Sequence, residues 1–170
     1  MNRDIQILED KIYVIIDGPL NWQQAEVNAN KLGGHLISLN NKEESDFVLG
    51  HFSNRSDLVN TQGTFYTHLG IYDDANGNFY WTDGSEVTWT NWGPTNPYEN
   101  GTGQANWKKN DVGIELEVPH WDQDYEGKWL NGTPWPGDSI AEIPFIRRGN
   151  TAYVVVEGPS WEEAEANAVA

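Results

Sequence analysis

Residues 18–39 read Gly-Pro-Leu-Asn-Trp-Gln-Gln-Ala-Glu-Val-Asn-Ala-Asn-Lys-Leu-Gly-Gly-His-Leu-Ile-Ser-Leu. A turn, a helix and a strand follow one another in this stretch. Gly18-Pro19 closes the β-branched run from Lys11 to Asp17, which reads as a strand. Asn21 is placed to cap a helix in which Trp22, Ala25, Ala29 and Leu32 recur at helical spacing. Gly33-Gly34 ends that helix, because glycine takes the left-handed conformation that commonly terminates one. His35 to Leu39 then reads as a second strand.

The same opening occurs twice. Residues 158–168 read Gly-Pro-Ser-Trp-Glu-Glu-Ala-Glu-Ala-Asn-Ala, and Tyr153 to Glu157 match Tyr13 to Asp17. A period of about 140 residues is long enough for a whole domain. The expected division is residues 1–10 as the end of a preceding linker or strand, 11–146 as one module, and 147–170 as the truncated start of a second repeat. Ile5-Gln6-Ile7-Leu8 echoes Ile143-Pro144-Phe145-Ile146, and Arg147 to Asn150 form a polar joint.

Outward from the opening stretch, Asn41 and Glu44 have the spacing of a capping box for a second helix carried by Phe47, Val48 and Phe52. Residues 53–63 read as a loop, Phe65 to Tyr72 as a strand, and Asp73 to Asn78 as a turn. Phe79 to Trp81 continue the sheet. From Asp83 to Asn110 the text is Gly, Asn, Pro and Trp with almost no periodicity, and so long an irregular loop in a compact domain is usually functional. Val112 to Val118, the segment around Lys128-Trp129, and Ser139 to Pro144 read as later strands. Helices early and strands late indicate an α+β domain.

Composition narrows the function. The chain carries 26 acidic against 10 basic residues, a formal net charge of −16, which disfavours nucleic acid and anionic lipid as partners. There is no cysteine, hence no disulfide and no thiolate metal site. No apolar stretch is long enough to insert into a membrane. Nine Trp, seven Tyr and five Phe supply a sizeable core.

The ordered motifs resemble the C-type lectin-like domain over nearly all of residues 11–145. They are Trp22-x-x-Ala25, Gly33-Gly34-His35-Leu36 with Ser38-Leu39, Leu69-Gly70-Ile71, Trp81-x-Asp83-Gly84-Ser85, Thr90-Asn91-Trp92, Gly127-Lys128-Trp129 and Ile140-Ala141-Glu142. The resemblance implies two helices packed on antiparallel sheets with a long irregular loop. The family's disulfide between first helix and last strand would fall at Ala29 and Ala141. Its second disulfide would involve Val112 and a residue beyond Trp129. Loss of a bridge typically costs about 2–5 kcal/mol, so another staple is expected.

Calcium is the staple that the resemblance implies. In some members a Ser, an acid, a Glu one helical turn on and a Glu in the last strand hold the ion, and these positions fall at Ser38, Asn40, Glu44 and Glu142. Calcium takes six to eight oxygens at about 2.3–2.6 Å. Asn40 in place of an acid lowers the ligand charge. Alternatively, Glu44 merely caps the helix and Glu142 is a solvated strand residue.

The family's sugar site is less well kept. Asn96-Pro97-Tyr98 stands at its loop triplet, Asn110-Asp111 at the next position, and Trp129-Leu130-Asn131 at the last. Tyr98 and Leu130 lack the oxygens the family uses there. A shift of one or two residues would recruit Glu99, Asn100 and Asp111, with Asn131 reaching from a neighbouring strand. The expected set for a second calcium and a glycan is therefore Asn96, Glu99, Asn110, Asp111 and Asn131. Trp107, Trp121 and Trp135 are either sugar-stacking platforms or loop and core packing.

Catalysis is not expected. Asp122, Asp124 and Glu126 lie close enough to suggest paired carboxylates, but such clusters in an acidic chain are usually solvated or calcium-holding turns. His35, His51, His68 and His120 have no zinc-like spacing, and no nucleophile elbow, phosphate loop or dinucleotide fingerprint is present. The expected function is calcium-dependent glycan binding within an extracellular, bacterial-type multidomain adhesin, beside an adjacent repeat. The contrasting reading is a protein-binding or spacer module with calcium only at the stabilising site.

Overall fold

The computed structural model describes residues 5–56, 58–59, 64–74, 78–93, 113–118, 127–132, 137–156 and 160–168. The frame is a four-stranded antiparallel sheet in the order β1-β2-β9-β3, with β1 at Gln6–Leu8, β2 at Lys11–Leu20, β3 at His35–Leu36 and β9 at Gly137–Pro144. Helix α1 (Trp22–Lys31) connects β2 to β3. Asn21 caps it with a reciprocal box: its side chain accepts from Gln24 N while Gln24 returns to Asn21 N. Gly33 terminates it at φ 82°, and a Cβ there would meet the Val155 carbonyl at 2.0 Å. Both the dihedral and the close approach require glycine.

Helix α2 (Lys42–Phe52) starts at Asn41, whose side chain accepts from Glu44 N. The box is only half formed. Glu44 Oε2 accepts instead from Asn40 N at 2.6 Å, which leaves Oε1 free to point across to β2. A second sheet runs β4 (Phe65–His68), β7 (Gly113–Val118) and β8 (Lys128–Gly132), and β5 (Ile71–Asp73) pairs with β6 (Phe79–Trp81). The two helices, antiparallel sheets and irregular segments are the expected α+β architecture.

Three boundaries differ from the sequence reading. Strand β2 runs through Gly18-Pro19 to Leu20, with an irregular register after Ile16. Only His35–Leu36 of the second run pairs as a strand. The run from Phe65 to Tyr72 breaks at Leu69-Gly70, where Trp22 Nε1 donates to Leu69 O and Gly70 N donates to Ile37 O. A Cβ on Gly70 would lie 2.5 Å from Leu36 O, so the two backbones meet only because that residue has no side chain.

The core has two parts on opposite faces of the β2–β9 ribbon. Val14, Ile16, Ala25, Ala29, Leu36, Ala141 and Ile143 fill the α1 face. Tyr13, Ile15, Ile37, Leu39, Val48, Phe52, Trp81, Trp129 and Ile140 belong to the larger cluster on the α2 face. Ala29 and Ala141, the positions of the family's first disulfide, are both fully buried in the smaller cluster. Past β9, β10 (Ile146–Arg148) and β11 (Thr151–Tyr153) form a hairpin, followed by α3 (Trp161–Ala168).

Candidate functional site

The period-two alternation of strands decides which side chains meet. Lys11, Tyr13 and Ile15 share one face of β2, and Ile140 and Glu142 share the matching face of β9, with Tyr13 paired to Glu142 in the register. That face looks at the start of α2 and the segment from Ser38 to Asn40. The four expected staple residues are therefore neighbours. Ser38 Oγ lies 2.8 Å from Glu142 Oε1 and 2.9 Å from Asp83 Oδ2, so a single hydroxyl proton faces two carboxylates. Asn40 Nδ2 lies 3.5 Å from Ser38 Oγ.

At the point where Glu44 and Glu142 converge stands an ammonium group. Lys11 Nζ is 3.0 Å from Glu142 Oε1 and 3.4 Å from Glu44 Oε1. Glu142 is 4% exposed, and its Oε2 is buried with no hydrogen-bond partner. Burial works against the Lys11 ammonium, but Glu142 and then Glu44 outweigh it and raise the Lys11 pKa. Burial raises the pKa of Glu142 in spite of Lys11 and Ser38, which act to lower it. The two directions are compatible: the attraction is shared, while burial weighs more heavily on the Glu142 carboxylate than on the Lys11 ammonium. Burial first, and Glu142 second, push the Tyr13 phenol far above its ordinary value. Asp83 stays low, because hydrogen bonds from Ser85 and Ser38 outweigh its burial.

These residues do not form a ready calcium cage. The carboxylate oxygens that calcium would need at about 2.3–2.6 Å are already paired with the Lys11 ammonium. Among the described residues no group of three or more His, Cys, Asp or Glu is arranged to hold a metal.

Residues 89–93, at the head of the segment read as a long loop, are tied to the core by ring contacts and hydrogen bonds. Trp89 and Trp92 each stand edge-on to the buried Trp129 with ring centroids 5.5 Å apart, and Trp81 makes the same contact from below. Gly93 N donates to Trp129 O, and Trp129 N donates to Asn91 O. Asn91 Nδ2 donates to Gly127 O at 2.7 Å, and Lys128 Nζ donates to Asn91 Oδ1 at 2.8 Å. Asn96, Glu99, Asn110 and Asp111 lie outside the described residues, as do Trp107, Trp121, Trp135, His120, Asp122, Asp124 and Glu126. Asn131 is on β8, opposite Ile114 of β7.

Sequence reasoning missed Lys11, Asp83 and Glu26 as polar anchors. Lys11 sits two residues before Tyr13, and that alternation was its signal. Asp83 lies in the Trp81-x-Asp83-Gly84-Ser85 motif and accepts from Ser85 N at 2.8 Å. Glu26 on α1 binds His35 Nδ1, Leu36 N, Thr82 Oγ1 and Asn30 Nδ2, which ties the helix to β3 and to the turn after β6. His35 is accordingly a structural corner residue.

An α+β base that holds residues 89–93 at the head of the segment read as a long loop is an architecture suited to presenting loops. The chain belongs to the C-type lectin family: the Lectin C-type domain model matches residues 18–131. It is 41% identical over 70 residues to the alpha-N-acetylgalactosamine-specific lectin of Patiria pectinifera, covering 39% of each chain. It is 29% identical over 96 residues to the mouse low affinity immunoglobulin epsilon Fc receptor, covering 56% of this chain and 26% of the receptor. The match thus spans about a quarter of the receptor's own length. The calcium-independent C-type lectin SPL-2 from Saxidomus purpuratus has the same fold, with a TM-score of 0.60, 18% identity, and coverage of 82% of this chain and 90% of that one. Calcium is common in the family but is not a condition of the fold. No described helix is long and apolar enough to cross a membrane.

Proposed function

We propose that this chain is a glycan-binding module of an extracellular, bacterial-type adhesin, and that the long loop carries the sugar through a calcium ion held by Asn96, Glu99, Asn110, Asp111 and Asn131. The observation that carries this reading is the anchoring of the loop entry on Trp129. Function in this fold class lives on loops presented by a rigid base, and residues 89–93 are fixed by three ring contacts and four hydrogen bonds. The similarity to an N-acetylgalactosamine-specific lectin supports a sugar as ligand. A glycan array with and without calcium tests it. Binding that disappears in EGTA is expected; absence of any glycan signal, or equal signal in EGTA, overturns it.

We also infer a tandem array. The β1–β2 hairpin pairs Gln6 with Tyr13, and the β10–β11 hairpin pairs Ile146 with Tyr153, the same register one period later. Each turn has one residue at positive φ, Glu9 at 54° and Gly149 at 62°. Ser160 caps α3 by accepting from Glu163 N, as Asn21 caps α1. Val154 packs against the cluster under α1, so the second opening leans on the first module.

A further inference from the structure

We propose that Lys11 is a tethered substitute for a divalent cation: its ammonium, held between Glu142 of β9 and Glu44 of α2, clamps helix to sheet, and this end of the domain needs no metal. Three observations carry the inference. The Nζ atom occupies the point on which both carboxylates converge, 3.0 and 3.4 Å from their nearest oxygens. It comes from the core-facing side of β2, where a lysine has no place unless it is paired. The carboxylate it faces is almost fully buried, and an adjacent positive charge offsets the cost of burying it.

The clamp resembles a metal in effect and differs in kind. A covalently attached cation cannot be chelated and does not depend on the surrounding calcium concentration. It brings one charge to a site where Glu44, Glu142 and Asp83 bring three, and Ser38 and Ser85 stabilise the remainder by hydrogen bonds. Removal of the amine alone leaves the oxygens of Ser38, Asn40, Glu44 and Glu142 facing a vacated centre, which is the chemistry calcium selects.

The inference is independent of the loop reading, because its test is a difference in calcium count between variants of the full chain. Isothermal titration with calcium is run on the wild type, Lys11→Met, Lys11→Arg, Glu142→Gln and Lys11→Met/Glu142→Gln. Lys11→Met is expected to bind one more equivalent than the wild type and to melt about 5 °C or more lower in EGTA, with recovery in calcium. The double variant is expected to return to the wild-type count. Lys11→Arg keeps a cation in place and is expected to keep both the wild-type count and the wild-type melt. No additional equivalent in folded Lys11→Met overturns the proposal. Loss of an equivalent from the wild type on Glu142→Gln alone overturns it too, since calcium would then already occupy the cluster. A wild type that binds no calcium at all sinks the loop reading and leaves this one standing.

Discussion

Replacement of Ala29 and Ala141 together by cysteine is expected to close a disulfide between α1 and β9. Both alanines are fully buried in one cluster, and Ala141 pairs with Val14 on one side and Leu36 on the other. The bridge would enclose roughly 110 residues, for which the chain-entropy relation gives about 4.7 kcal/mol as an upper limit. Strain from fitting two sulfurs among Val14, Ala25 and Leu36 reduces this, and a gain of about 2–4 kcal/mol is the usual outcome. For a domain of this size that is a rise in Tm of roughly 6–12 °C. Calorimetry with and without reductant measures it, and free-thiol titration reports whether the bond has closed. Each single cysteine variant serves as the control for overpacking. Thiols that stay free under oxidising conditions refute the placement of the missing bridge, and so does an oxidised form that melts no higher than the reduced one.

Asn91→Ala removes one neutral hydrogen bond and one charge-assisted bond to a partly exposed lysine, so a loss of about 2 kcal/mol is expected in urea unfolding. Glycan binding should weaken with it, and unchanged binding would detach the loop anchor from function. His68 is buried on β4 with Nε2 3.3 Å from Leu20 O, and burial lowers its pKa. The unfolded chain then takes up the proton first, so stability falls as pH drops below about 6.5 toward the depressed folded value. Each unit of depression is worth about 1.4 kcal/mol. His68→Asn should flatten that slope between about pH 7.5 and pH 5; an undiminished slope would assign it to other groups.

Helix α1 was legible in full because its signals are local. The Asn21 cap, the alanine spacing and the Gly33-Gly34 stop are written within 14 residues of one another. The break between β4 and β5 was not legible. It is imposed by Trp22 Nε1 on Leu69 O and by Gly70 meeting Leu36, partners more than 30 positions away. Glu44 shows the same limit within a site. Its spacing from Asn41 suggested a reciprocal box, yet Asn40 N captured one oxygen and Lys11 the other. The convergence of residues 38, 40, 44 and 142 followed from the family resemblance, whereas the cation at their centre came from the far end of β2. A lone lysine at the start of a strand reads as solvated until the register turns it inward.

The two faces of β9 solve one problem by different means. On the α1 side, where the family resemblance implies a disulfide, alanines at 29 and 141 are both fully buried, and apolar packing holds helix to strand. On the α2 side the tie is ionic, through Lys11. The second occurrence of the opening sequence lacks the lysine. One period after Lys11, in the same position of the hairpin register, stands Thr151 opposite Arg148. The sheet opening recurs there with its turn and its following cap, but the ammonium does not. The recurring opening therefore does not carry the lysine with it, and the ion pair with Glu142 belongs to the first of the two openings alone among the described residues.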